Sequence, residues 1–186
     1  MSDRDLQQLL EDFQEVNYPK VKRNQQAYDQ TEEFIEGEVA RLLEMYRSLT
    51  TLDQRARLIR DGLDLYLRRG HGYSIEGNIG AHYRQVGARI EDCDFEHMIP
   101  QAKIRDALIQ GRLTIRQAMN PPTCWLHRDL HQQLKQAGWA SRTPSLWYFF
   151  RRYGVVFQAE YETFNGTAIQ DPHNWTFADH CRYFNV

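Results

Sequence analysis

Before residue 70 the apolar positions fall at helical spacing three times over. Leu6, Leu9, Leu10, Phe13 and Val16 form the first stripe, which Ser2 and Asp3 can cap and Pro19 ends. A second predicted helix runs from near Thr31 to about Ser48. It sets Phe34, Ile35, Val39, Leu42, Leu43 and Tyr46 against a largely acidic face of Glu32, Glu33, Glu36, Glu38 and Glu44. Thr51 and Gln54 fit a capping box, after which Leu58, Ile59, Leu63, Tyr66 and Leu67 carry a third helix to Arg69, with Gly70 placed to terminate it. The short polar link between the second and third helices predicts an antiparallel hairpin. Packing across a dimer axis would satisfy the same pattern.

After Gly70 the helical period breaks. The stretch from Gly70 to Tyr83 is glycine-rich, with His71 and His82 interleaved, and its spacing matches neither a Walker loop nor a GxGxxG fingerprint. It reads as an irregular connection. Ile104, Leu108, Ile109 and Leu113 make residues 101–119 helical, and a further helix from Asp129 to Gln136 ends at Gly138. Val155 to Phe157, and Tyr161 with Phe164, look like strands divided by a turn at Asn165 and Gly166. Four consecutive aromatics, Trp147 to Phe150, cannot all face water, so Trp147 and Phe150 are assigned to the core. The aromatic end of the chain is expected to pack back on the domain.

Composition narrows the class. At 186 residues, 41% hydrophobic and 26% charged, the chain suits one sizeable soluble domain, or a small catalytic domain with a helical extension. No apolar run approaches the roughly twenty residues that cross a bilayer, and no leader or anchor pattern is expected. Three cysteines without a CxxC pair favour a reducing compartment, and a cytoplasmic location is expected. A net charge of −2 argues against a protein that coats nucleic acid. Local basic clusters remain: Lys20, Lys22 and Arg23; Arg68 and Arg69; Arg142, Arg151 and Arg152. The first and last of these are the candidate phosphate contacts.

The candidate chemistry lies between Cys93 and His131, in C-D-F-E-H-M-I-P and then N-P-P-T-C-W-L-H-R-D-L-H. Hydrolysing a phosphodiester needs a deprotonated water, stabilisation of phosphorane charge and support for the leaving oxygen. One divalent metal can serve the last two needs and a neutral histidine the first. Glu96 and His97 form such an adjacent pair, and a second metal ligand must come from another segment. His131 is the first candidate and His127, four residues earlier, the alternative.

In this arrangement residues 93–135 resemble the HNH, or ββα-metal, endonuclease family. The resemblance rests on E-H-M-I-P, on Asn120 in M-N-P-P-T-C-W-L, and on His131 in H-R-D-L-H-Q-Q-L. It implies a ββα-metal nuclease core within 71–186; with the helical region read from the apolar period over 1–70 and a short mixed C-terminal part, the expected fold is α+β. It further implies Glu96 and His131 as ligands of one Mg²⁺ or Mn²⁺, His97 as general base, and Asn120 on the second strand bracing the loop. Double-stranded DNA is the implied partner, a homodimer is possible, and free-standing homing or phage-borne endonucleases are the implied relatives. The chain departs from the family in lacking paired CxxC zinc knuckles, in its helical insert and in the two prolines after Asn120. Two other readings compete. The chain could be a non-catalytic helical interaction protein, or a nucleic-acid-binding regulator, with structural histidines. Alternatively His127 and His131 could bind a structural zinc together with Cys124.

Overall fold

A computed structural model describes residues 25–70 and 81–186. The first predicted helix, the basic connector with Lys20, Lys22 and Arg23, and the glycine-rich connection with His71 lie outside the described residues.

Helices α1 (Gln25–Arg47) and α2 (Gln54–Gly70) form the expected antiparallel hairpin. Ile35 reaches Gly70, Phe34 meets the Tyr66 ring and Leu42 lies on Gly62, so ascending positions on one helix meet descending positions on the other. Gly62 marks a close approach, since a Cβ there would stand 3.2 Å from Leu42 Cδ1. The cap differs from expectation. Asp53, not Thr51, caps α2, its side chain accepting from the Arg55 amide at 2.8 Å, because it directly precedes the first helical residue. The buried stripe is also narrower than the period suggests: Ile35, Val39, Leu43, Leu63 and Leu67 are buried, whereas Phe34 and Leu58 are exposed.

Strands β1 (Tyr83–Gln85), β2 (Cys93–His97), β3 (Thr123–His127) and β4 (Tyr161–Thr163) make one mixed sheet in the order β2-β3-β1-β4. β2 and β3 are antiparallel, β3 and β1 parallel, β1 and β4 antiparallel. With its helices this is an α+β fold. Residues 101–119 are helical as the period predicts, in two pieces, α3 (Gln101–Ile109) and α4 (Ile115–Met119). Gly111 between them takes a left-handed φ of +71°, which breaks the helix without the strain a side chain would meet. Helix α5 (Arg128–Gln136) follows β3 with no intervening residue, and Gly138 closes it at φ +76°.

The C-terminal part holds α6 (Arg151–Gly154) and α7 (Phe177–Phe184). Residues 155–157 are not a strand: the amides of Val156 and Phe157 both donate to Tyr153 O, so the chain is still coiling out of α6. Phe149 and Phe150 are buried, Trp147 only half-buried. α7 starts in a capping box of Thr176 and Asp179, and Phe177 and His180 pack inward. One core cluster joins the hairpin (Ile35, Leu67), the insert (Ile104), the sheet (Leu126) and the C-terminal part (Phe150, Phe177). The regions on either side of residue 70 therefore share their hydrophobic interior. Among the described residues no helix is long and apolar enough to cross a membrane.

Two leucines on the same predicted stripe should behave differently. Leu63 is 0% exposed and Leu58 63%. In urea unfolding, Leu63→Ala should cost about 2–5 kcal/mol and Leu58→Ala less than about 0.5 kcal/mol.

Candidate metal centre and its ion network

Alternation along β2 sorts the central motif onto two faces. Glu96 pairs across the ladder with Cys124, and Asp94 with Leu126. Directly opposed residues share a face, so Asp94, Glu96, Cys124 and Leu126 lie together on one side. Cys93, Phe95 and His97 lie on the other with their partners His127, Trp125 and Thr123.

The helix that leaves β3 covers the first face. His131, in its first turn, comes down between the two carboxylates of β2. Its Nδ1 stands 2.7 Å from Asp94 Oδ2, and its Nε2 2.9 Å from Glu96 Oε2. Both ring nitrogens thus face carboxylates, an arrangement that suits a protonated imidazole donating in two directions. The contact with Glu96 is the main cause holding the His131 pKa above its ordinary value, with Asp94 adding to it against the opposing effect of burial. Asp94 moves the opposite way, lowered chiefly by its bond to His131. The other oxygen of Glu96 is also taken: Arg152 Nη1 lies 2.7 Å from Oε1. The result is a chain of alternating charge, Asp94, His131, Glu96, Arg152.

Glu96 and His131 are therefore brought together, as the sequence suggests. Neither Asp94 nor Arg152 was assigned to this site from the sequence. For Asp94 a signal existed: it stands two residues before Glu96 in a strand, hence on the same face. For Arg152 there was none, because it lies more than fifty residues downstream.

The other candidates fall elsewhere. His97 is turned to the opposite face, where its ring meets Phe95 at 5.2 Å and Phe95 meets Trp125 at 5.7 Å. Burial lowers its pKa, the Glu96 charge opposes this, and Arg68 and Arg152 add to the lowering, so the imidazole is neutral near pH 7. His127 is the last residue of β3 and the N-cap of α5. Its Nδ1 accepts from the Asp129 amide at 3.3 Å, and being extended rather than helical it does not stack with His131. Cys124 and His127, three apart in a strand, point to opposite faces, which does not assemble the zinc set with His131. Among the described residues no three His, Cys, Asp or Glu side chains are grouped to hold a metal ion.

Asn120 is not on a strand. It is the C-cap of α4, three residues before β3, with Nδ2 donating to Arg116 O at 2.9 Å and Oδ1 buried without a partner. The two prolines that follow delay the strand. The backbone carbonyl of Asn120 accepts from His180 Nε2 at 2.9 Å, and His180 Nδ1 accepts from the Tyr83 hydroxyl at 3.0 Å, which in turn accepts from Trp175 Nε1 at 3.0 Å. This buried relay, built on α7 and β1, anchors the start of β3. His82 is a core residue too, bonded to Thr123 Oγ1 at 2.9 Å and packed on His180.

The basic cluster near the aromatic run is split. Arg142 is exposed. Arg151 lies over the Tyr148 ring at 4.0 Å and donates to His173 O at 2.9 Å. Arg152 is interior, its side chain 1% exposed, and cannot reach a phosphate. The expectation that all three line a DNA surface fails there, because a guanidinium surrounded by acceptors is stable inside.

As for a metal, Glu96 Oε2 and His131 Nε2 are the donors that could hold one. Their 2.9 Å separation is near the roughly 3 Å that two adjacent ligands subtend when each bond is about 2.1 Å. One imidazole and one carboxylate suit Mg²⁺ or Mn²⁺ with water completing the shell.

Buried His180 and half-buried His131 give stability opposite pH dependences. Burial pushes His180 down to about 4 from 6.5. Its neutral form is favoured in the fold, so stability is lost as pH falls from 6.5 toward 4, by about 3 kcal/mol in all. His131 is raised, so its contribution is complete below 6.5 and is lost as pH rises through the folded value. Urea unfolding from pH 4 to 9 should show a stability maximum between the two limits. His180→Gln should flatten the acid limb and His131→Gln the alkaline one.

Comparison with known proteins returns no relative: no protein-family model, no curated protein and no solved structure matches the chain.

Proposed function

We propose that the chain is a metal-dependent DNA endonuclease of the HNH type, with β2, β3 and α5 as its ββα-metal core. The observation that carries this reading is the convergence of Glu96 from β2 and His131 from α5 at 2.9 Å across an antiparallel strand pair. A carboxylate on the first strand and a histidine on the following helix are the ligands such a centre needs.

In this reading Glu96 and His131 hold one Mg²⁺ or Mn²⁺, which when bound supplies charge stabilisation at the phosphate and at the leaving oxygen. As a ligand His131 would be the neutral imidazole, offering its Nε2 lone pair while its Nδ1–H donates to Asp94. His97 is the proposed base, and burial, by holding its pKa below the ordinary value, favours the neutral imidazole that general-base work on water requires. His97 leaves the strand on the other face from Glu96, at the strand's last position. Asn120, held through its carbonyl by His180, fixes the entry to β3. Arg142 and Arg151 remain as phosphate contacts on the described surface, joined by Lys20, Lys22 and Arg23 from outside it. A homodimer with one centre per subunit would break both strands.

A second reading is supported by the charge balance of the network. Asp94 and Glu96 are matched by His131 and Arg152, which is also what a structural ion cluster in a non-catalytic interaction or nucleic-acid-binding protein would display.

Supercoiled plasmid with Mg²⁺ or Mn²⁺, with and without chelator, separates the two. The endonuclease reading predicts nicking that chelator abolishes and that falls at least a hundredfold in Glu96→Ala and His131→Ala, provided both variants stay folded. His97→Ala should lose a comparable factor if His97 is the base. Asn120→Ala should lower rate more than metal affinity. Absence of metal-dependent cleavage by the wild-type protein, or cleavage unchanged in folded His131→Ala, would leave the structural ion cluster as the explanation.

A further inference from the structure

Arg152 reads from the sequence as one of a run of surface cations, but in the fold each of the three nitrogens of its guanidinium has a partner inside. Nη1 is ion-paired with Glu96 Oε1 at 2.7 Å and donates to His97 O at 2.6 Å. Nη2 donates to Ala140 O at 2.7 Å and Nε to Trp139 O at 3.0 Å. Two of the four acceptors belong to consecutive residues of β2, the Glu-His pair itself. The other two lie just beyond α5, so the guanidinium is braced against segments outside the β2, β3 and α5 unit.

Arginine suits this position because its planar fork fixes the directions of its bonds. With Oε1 held by Arg152, the Glu96 carboxylate can turn only Oε2 toward His131, and that is the oxygen found 2.9 Å from Nε2. With one oxygen committed to Arg152, a grip on a second cation through Oε2 alone is favoured over a grip through both oxygens. The bond to His97 O pins the peptide from which the His97 side chain and the turn into Met98 depart.

We propose that Arg152 is a positioning residue: it presents Glu96 to its partner on α5 through a single oxygen and fixes the backbone of His97. The inference rests on the reading of Glu96 and His131 as a metal pair, and it deepens that reading by making the C-terminal segment an obligatory part of the centre. Arg152 touches neither metal nor phosphate; it acts through Glu96.

The test uses the full chain and its Arg152→Lys and Arg152→Met variants, each alone and in a Glu96→Gln background. Mn²⁺ binding is measured by calorimetry at pH 7.5, and urea midpoints are measured in chelator. Mn²⁺ affinity should fall at least tenfold in Arg152→Met, less in Arg152→Lys because lysine keeps a donor to Oε1 but not the fork, and no further when either change is added to Glu96→Gln. Folded Arg152 variants that bind Mn²⁺ as the wild type does would overturn the proposal. Should the wild-type protein take up no Mn²⁺, the metal reading fails on its own account, and the metal-free midpoints then decide about Arg152. A midpoint loss that shrinks in the Glu96→Gln background upholds its hold on Glu96; an equal loss in both backgrounds overturns it. If Arg152→Met does not fold, the Arg152→Lys series decides by the same two criteria.

Discussion

The two-residue alternation of β2 is the constraint on which the arrangement depends. It places Asp94 and Glu96 on the face that α5 covers, and Phe95 and His97 on the face that it does not. A register slip of one residue against β3 would exchange the two sets, burying an aromatic under the helix and stranding both carboxylates. The slip is opposed from both ends. Met98 donates to Pro122 O at 3.0 Å beyond the last strand pair, and His127 turns directly into α5 as its N-cap.

Glu96 and Arg152 are buried and His131 is mostly covered, while Asp94 reaches the surface; burying ionisable groups carries a desolvation cost that single pairs seldom recover. Here each group has a partner: Asp94 and Glu96 share His131, and Glu96 shares Arg152, which adds three backbone carbonyls. Removing any member leaves an uncompensated charge in a half-buried site, so the network is held as a unit. Such a unit specifies geometry more than it adds stability.

Around this unit the helical hairpin and the C-terminal part act as walls. Gly70 lets α2 end against α4, where a Cβ would come within 3.0 Å of Met119 Cε, and Arg105 on α3 ties back to Asp64 on α2. The relay from Trp175 through Tyr83 and His180 to Asn120 fastens α7 to the beginning of β3. The hairpin thus bears on the helical insert that joins β2 to β3, and the C-terminal part on the start of β3 through buried hydrogen bonds.

How much of this was legible in the sequence depends on the range of the interaction. Helices α1, α2, the helical insert and α5 were readable because a helix repeats its apolar residues within a few positions, and the hairpin followed from the short link. The approach of Glu96 and His131 could be anticipated from the order strand, strand, helix. Long-range partners left no such mark. That Arg152 would turn inward, that His180 would hold Asn120, and that residues 155–157 would coil rather than extend were decided by which acceptors and apolar surfaces the folded chain brought near them. Local spacing determined which residues share a face; only tertiary packing determined which face was covered, and by what, because burial of a charge is settled by partners remote in sequence.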